Sequence, residues 1–247
     1  MCGRYELHTH PAALALAFGL AAPPDLTPRY NIAPTQQVPI VRQNAAGARE
    51  LVEVRWGLVP RWAKDPSIGA KLINARAETA ATRNAFSNAF RRHRCLLPAD
   101  GFYEWKVTPG GKQPVRVAMK NGEPLGLAGL YERWLAPDGT VLDSCTILTT
   151  QANALLAGVH DRMPVIIAPQ DYARWLDPAA NEVADLLAPY PEQAMTWYPI
   201  SLRVNAVRND DATLIERVAE APPPATQDDA VADDMARPKK PVQSSLL

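Results

Sequence analysis

Eight short stretches of this chain run apolar or alternate in polarity over three to ten residues, each bounded by Gly, Pro, Asn or Asp. They are Val38–Val41, Leu51–Trp56, Arg94–Leu97, Gly101–Trp105, Val115–Met119, Leu125–Trp134, Ser144–Thr149 and Val165–Ile167. Stretches of that length with such borders predict strands. Helical spacing is rarer and covers Pro11–Phe18, Thr82–Arg92, Ala152–Ala157, Pro169–Trp175 and Ala179–Ala188. Pro169 and Pro178 stand where first-turn prolines are tolerated. Many strands with few helices predict an α+β fold, a single sheet-rich domain with a barrel-like β core and peripheral helices. Residues 1–219 read as that one folded unit. Residues 220–247 are rich in Pro, Ala, Asp, Lys and Ser and have no periodic apolar face, which predicts a disordered tail.

Composition narrows the function class. The 247 residues carry 26 bases and 26 acids, which argues against a generally basic nucleic-acid binder. The balance is uneven, since residues 1–219 hold 23 bases against 21 acids. A local arginine patch is therefore still available for phosphate. No apolar run reaches the length of a membrane span, and the N-terminus lacks a basic stretch followed by an apolar one. Cys2, Cys95 and Cys145 are odd in number and widely spaced, so they suggest neither a disulfide framework nor a zinc site. A reducing cytoplasm fits them. His8-Thr9-His10 lacks a third ligand, so no metal and no cofactor is expected.

Cys2 lies directly behind Met1. Removal of Met1 would leave an α-amine and a thiol two carbons apart, with ordinary pKa values of about 7.7–8.0 and about 8.5. Such a pair condenses with an aldehyde: the amine gives an imine and the thiol closes a thiazolidine ring. The same residue can serve as an N-terminal nucleophile in amide hydrolysis. A chance cysteine at a frayed end is the plain alternative.

Other candidates cluster in four polar, irregular stretches. Glu104 sits between Tyr103 and Trp105, where burial would raise its pKa toward neutrality and fit it for proton transfer. A strand glutamate facing water, or paired with arginine, fits the same pattern. His160, before Asp161-Arg162, is a possible general acid or base or a surface histidine. Asn74 can hold a loop or orient a hydroxyl. Arg4, Arg76 and Arg83 can clamp phosphates or form surface ion pairs. Trp62, in the polar run Arg61-Trp62-Ala63-Lys64, can stack on a base.

In their order along the chain these pieces resemble the SOS-response-associated peptidase (SRAP) family, the abasic-site processing proteins. The resemblance rests on Cys2-Gly3-Arg4-Tyr5, Tyr30-Asn31-Ile32-Ala33-Pro34-Thr35, Trp56-Gly57-Leu58-Val59-Pro60 with Trp62, and Ile73-Asn74-Ala75-Arg76-Ala77-Glu78-Thr79. It continues through Arg94-Cys95-Leu96-Leu97-Pro98-Ala99-Asp100-Gly101-Phe102-Tyr103-Glu104-Trp105, Leu148-Thr149-Thr150 and Val159-His160-Asp161-Arg162-Met163-Pro164, and so spans residues 2 to about 210. It implies that Cys2 crosslinks to the ring-opened aldehyde of an abasic site in single-stranded DNA. Asn74 would position Cys2 and the sugar, Glu104 would shuttle protons, and His160 would assist ring opening. Arg4, Arg76 and Arg83 would hold phosphates, and Trp62 would stack near the lesion. Arg61 stands where some relatives have a second tryptophan, which implies a narrower stacking platform. A DNA-associated cytoplasmic monomer is the expected form, with abasic-site lyase activity as a possible side reaction. The alternative is a cysteine peptidase with Cys2 as nucleophile and His160 as base, chiefly self-processing. A non-catalytic single-strand binder is the third reading.

Overall fold

The structure, a computed structural model, describes residues 2–219. The expected tail at 220–247 lies outside the described residues. In chain order the elements are β1 (Tyr5–Leu7), α1 (Pro11–Phe18), β2 (Arg29–Ile32), β3 (Gln37–Gln43), β4 (Arg49–Trp56), β5 (Asn74–Arg76), α2 (Ala77–Ala80) and α3 (Ser87–Arg92). They continue with β6 (Arg94–Ala99), β7 (Gly101–Thr108), β8 (Gly111–Met119), β9 (Leu125–Leu135), β10 (Val141–Gln151), β11 (Arg162–Pro164), β12 (Ile166–Ile167), α4 (Tyr172–Leu176) and β13 (Met195–Pro199).

Five of these strands close a ring. β10 pairs β4, β4 pairs β3, β3 pairs β6, β6 pairs β9, and β9 returns to β10. Closure leaves no free edge among the five strands. The expected α+β fold with a barrel-like core is therefore what forms. Cys95, Leu97, Ile147 and Leu130 are fully buried in the main apolar cluster. At Gly129 a Cβ would lie 2.4 Å from Leu97 Cδ1, so the close approach of β6 and β9 requires glycine.

A second sheet runs in the order β13-β8-β7-β1-β2. Residues beyond β13 add to it a small second core of Tyr103, Ile200, Val204 and Leu214.

Helix α1 follows the sequence reading, because its ends are well marked. The His10 side chain accepts the Ala12 N–H, Pro11 fills the first turn, and Gly19 ends the helix at φ 65°. Elsewhere helices are shorter than expected. Thr82–Arg92 is helical only over Ser87–Arg92, and Ala179–Ala188 only as a 3-10 turn at Ala184–Leu187. Ala152–Ala157 forms hydrogen-bonded turns, in which the Asn153 carbonyl accepts the N–H groups of Leu156 and Ala157. No helix among the described residues is long and apolar enough to cross a membrane.

Candidate active site

The ladder between β1 and β7 pairs Tyr5 with Phe102 and runs on past the strand end, where the Tyr103 N–H donates to the Arg4 carbonyl at 2.9 Å. Chain pairing therefore carries the first residues toward Glu104 and Trp105. Cys2 is fully buried. Asn74 opens β5, which lies parallel to β10 with Asn74 opposite Ile147. From there its Nδ2 donates to the Cys2 carbonyl at 2.8 Å. Its Oδ1 is buried and has no hydrogen-bond partner among the described residues. An unused buried acceptor costs stability, and this one stands beside the residue that would carry the chemistry.

Electrostatics tie the remaining groups together. Burial, and then the charge of Glu104, push the Cys2 thiol up to about 12. Burial likewise raises Glu104 above the usual carboxylate range, while nearby His160 pulls it back and Asp161 pushes it further. Glu104 is 4% exposed, so the sequence alternative of a water-facing glutamate is excluded. His160 lies between β10 and β11 and is half-buried. Its Nδ1 lies 3.0 Å from the Arg162 backbone N–H and 2.7 Å from Asp161 Oδ1. One lone pair cannot serve both: the neutral ring accepts from Arg162, and the protonated ring donates to Asp161. Residues from four separate parts of the chain thus converge: Cys2, Asn74, Glu104 and His160.

The cationic and aromatic candidates are more scattered in role. Arg4 is half-buried. Its Nη1 donates to Asn31 Oδ1 at 2.7 Å and to the Val204 carbonyl at 2.8 Å, and its guanidinium lies 5.9 Å from the Trp105 ring centroid. Arg76 and Arg83 are exposed, and Arg83 lies over the Phe86 ring. Trp62 is 52% exposed on a turn. Arg61 turns away from it to donate to buried Glu132 at 2.9 Å. Among the described residues no group of three His, Cys, Asp or Glu could hold a metal ion.

Three structural contacts escaped sequence reasoning. Buried Asn31 donates to the carbonyls of Val204, Ala206 and Asn209 while accepting from Arg4. Fully buried Glu6 takes Arg116 Nε at 2.6 Å and the Tyr103 hydroxyl at 2.7 Å. Arg162 grips Glu78 with two hydrogen bonds of 2.7 and 2.9 Å, clamping β11 to α2 beside the site. Glu78 and Arg162 stood in the resembling motifs, but nothing in one sequence pairs them across 84 positions.

Residues 1–207 match the family model described as SOS response associated peptidase (SRAP). The chain is 40% identical over 223 residues to abasic site processing protein YoqW of Bacillus subtilis, covering 87% of this chain and 99% of that one. It is 31% identical to abasic site processing protein YedK of Escherichia coli, covering 88% and 100%. A crystal structure of a Bordetella bronchiseptica protein superposes with a TM-score of 0.72 at 29% identity, covering 81% of this chain and all of that one.

Proposed function

Because the chain belongs to the SOS response associated peptidase (SRAP) family, we propose that it processes abasic sites, the substrate its relatives are named for. We infer further that it captures them in single-stranded DNA as a covalent adduct of Cys2. The observation that carries this reading is the 2.8 Å hydrogen bond from Asn74 to the Cys2 carbonyl, which fixes the residue's backbone beside Glu104.

With Met1 removed, the Cys2 amine attacks the ring-opened C1 aldehyde of the deoxyribose. Loss of water gives the imine, and the thiol then adds across C=N. Its proton passes to nitrogen, and the product is a thiazolidine. Burial favours the protonated thiol, so this last step needs a proton acceptor. In this reading Glu104 accepts that proton, and its raised pKa supports its returning it. His160 supplies the acid that opens the sugar hemiacetal. The Oδ1 of Asn74 accepts from the sugar hydroxyl or from the amine. Ring closure removes the imine that would drive strand cleavage by β-elimination, so the adduct shields the lesion.

A cysteine peptidase reading finds less support. The curated relatives it matches are named for abasic-site processing and not for peptide hydrolysis.

The test mixes protein with a confirmed Cys2 terminus and a single-stranded oligonucleotide carrying one abasic site, followed by a denaturing gel. A heat-stable shifted band is expected, lost in Cys2→Ala and absent with an intact oligonucleotide. Cys2→Ala should still yield a borohydride-trapped imine. Equal crosslinking by protein that retains Met1 would overturn the mechanism.

A further inference from the structure

Part of the chain carries a local excess of positive charge. Between Arg61 and Arg92 it carries seven arginines and lysines against two acids, Asp65 and Glu78. At the end of this stretch Arg91 and Arg92 are exposed, and with His93, Pro178 and Asn181 they line a cavity of about 470 Å³.

Directly after His93 in the chain comes a buried cation. Arg94 is 4% exposed, and among the described residues its guanidinium hydrogen-bonds only to backbone carbonyls: Trp175, Phe90, Arg91, Asp177 and Ala180. It joins the end of α3 to the end of α4. The carbonyls it takes from Phe90 and Arg91 are those that would make a helix C-terminus repel an anion. Arg91 and Arg92 are therefore not needed to offset that end. The Asp177 carboxylate nearby is turned to the Ala179 N–H at 2.8 Å.

The cavity is also fixed relative to the aromatic candidate. Buried Glu132 accepts from Arg61 at 2.9 Å and from Asn88 of α3 at 2.9 Å, with His93 Nδ1 3.3 Å away. One carboxylate thus gathers the Trp62 turn and both ends of α3. Trp134 Nε1 donates to the Ala63 carbonyl at 2.7 Å and holds the same turn. Glu132 lies opposite Ser144 on one side of β10, and Asn74 lies opposite Ile147 on the other. Standard sheet spacings then separate their Cα atoms by roughly 14 Å.

We propose that the cavity at the end of α3 is a phosphate subsite for the single strand flanking the lesion, with Arg91 and Arg92 as its ligands and Trp62 stacking a base on the way. The proposal rests on the functional reading above, and it adds a second anchoring point outside the reacting centre. It makes Glu132 a positioning residue for that arm.

The test is binding of an intact single-stranded oligonucleotide across a salt series, in wild type, in Arg91→Ala/Arg92→Ala and in Lys112→Ala/Lys120→Ala. The last variant removes two charges on and just beyond β8. Two lost phosphate contacts should reduce the slope of log affinity against log salt by about 1.4, since each single-strand contact contributes about 0.7. The arginine variant should show that smaller slope and about a tenfold loss of affinity at low salt. It should retain wild-type crosslinking to a saturating short oligonucleotide that ends close to the lesion. An unchanged slope in the arginine variant, or an equal change in the lysine variant, would overturn the proposal. Because binding is read on intact strand, the subsite is decided even if no crosslink forms, and absence of the crosslink in wild type would count against the functional reading alone.

Discussion

Glu104 illustrates a residue placed against its own stability. Burial raises its pKa in the folded chain, so its ionised form is disfavoured there. The associated stability is fully present below the ordinary carboxylate value of 4.5 and is lost as pH rises through the raised folded value. Glu104→Gln cannot ionise and escapes that loss. Thermal melts should therefore show Glu104→Gln at least as stable as wild type at pH 7, with the difference closing below pH 4.5. Crosslinking at pH 7 should meanwhile fall by about 100-fold, the usual contribution of a proton-transfer group. A variant that melts lower at pH 7 would mean the carboxylate is a structural anchor. Asn74 gives a complementary prediction. Asn74→Ala removes both the bond to Cys2 and the unused acceptor, so its stability cost should be about 1 kcal/mol or less. Its crosslinking rate should nevertheless drop well beyond that, as single-turnover gels would show.

Most elements that were legible in the sequence have a pattern long enough to be its own signal, with the two-residue β12, read at Val165–Ile167, as an exception. β4, β9 and β10 alternate or run apolar over eight to eleven residues, and α1 carries its own cap and stop. The missed strands β1, β2, β5, β11 and β13 span three to five residues. They are extended because partners hold them, and pairing is not written locally. Two of them bear on the site, since β1 leads from Cys2 and β5 begins with Asn74. Glu104 could be suspected of burial from its aromatic neighbours, whereas Glu132 could not, because a lone glutamate in a strand reads as facing water. Burial pushes Glu132 up, but nearby His93 and hydrogen bonds from Arg61 and Asn88 outweigh it and hold the carboxyl at about 2. A lowered pKa contributes stability that is present above the unfolded value of 4.5 and lost as pH falls through about 2. Glu132→Gln should thus cost about 1–3 kcal/mol in urea melts at pH 7, shrinking steadily below pH 4.5. The loop that Glu132 helps hold is also closed by glycine. Gly57 has φ 130°, and a Cβ there would meet the Gly69 carbonyl oxygen at 2.7 Å. Gly57→Ala should cost about 1–3 kcal/mol and loosen Trp62, seen as faster quenching of its fluorescence by acrylamide.

At the scale of the whole molecule, the two ends of the described chain are locked to each other. Asn31 of β2 donates to three carbonyls between Val204 and Asn209, and its Oδ1 accepts from Arg4 Nη1. Arg4 itself reaches the Val204 carbonyl. The C-terminal stretch thereby presses on the residue two places after Cys2, and the small core of Tyr103, Ile200, Val204 and Leu214 is sealed by the same contact. Tyr103 of that core directly precedes Glu104. Packing of the last residues is thus linked through one asparagine to both Cys2 and the carboxylate beside it. Sequence reading gave Arg4 to phosphate, but its Nη1 already serves this lock, so Arg4→Ala should disturb the fold as well as any DNA contact. Asn31→Ala separates the two, because Asn31 is 1% exposed and out of reach of a ligand. Leaving these carbonyls and the Arg4 bond unmade should cost about 2–4 kcal/mol. In the chain that retains Met1, where Cys2 is fully buried, the loss should also raise access to it. Brief alkylation followed by mass mapping should find Cys2 labelled at least tenfold faster in Asn31→Ala. Cys95 and Cys145, buried with the barrel strands, should stay protected. Equal labelling of all three thiols would indicate global unfolding, and protection of all three would show that the lock does not govern access to Cys2.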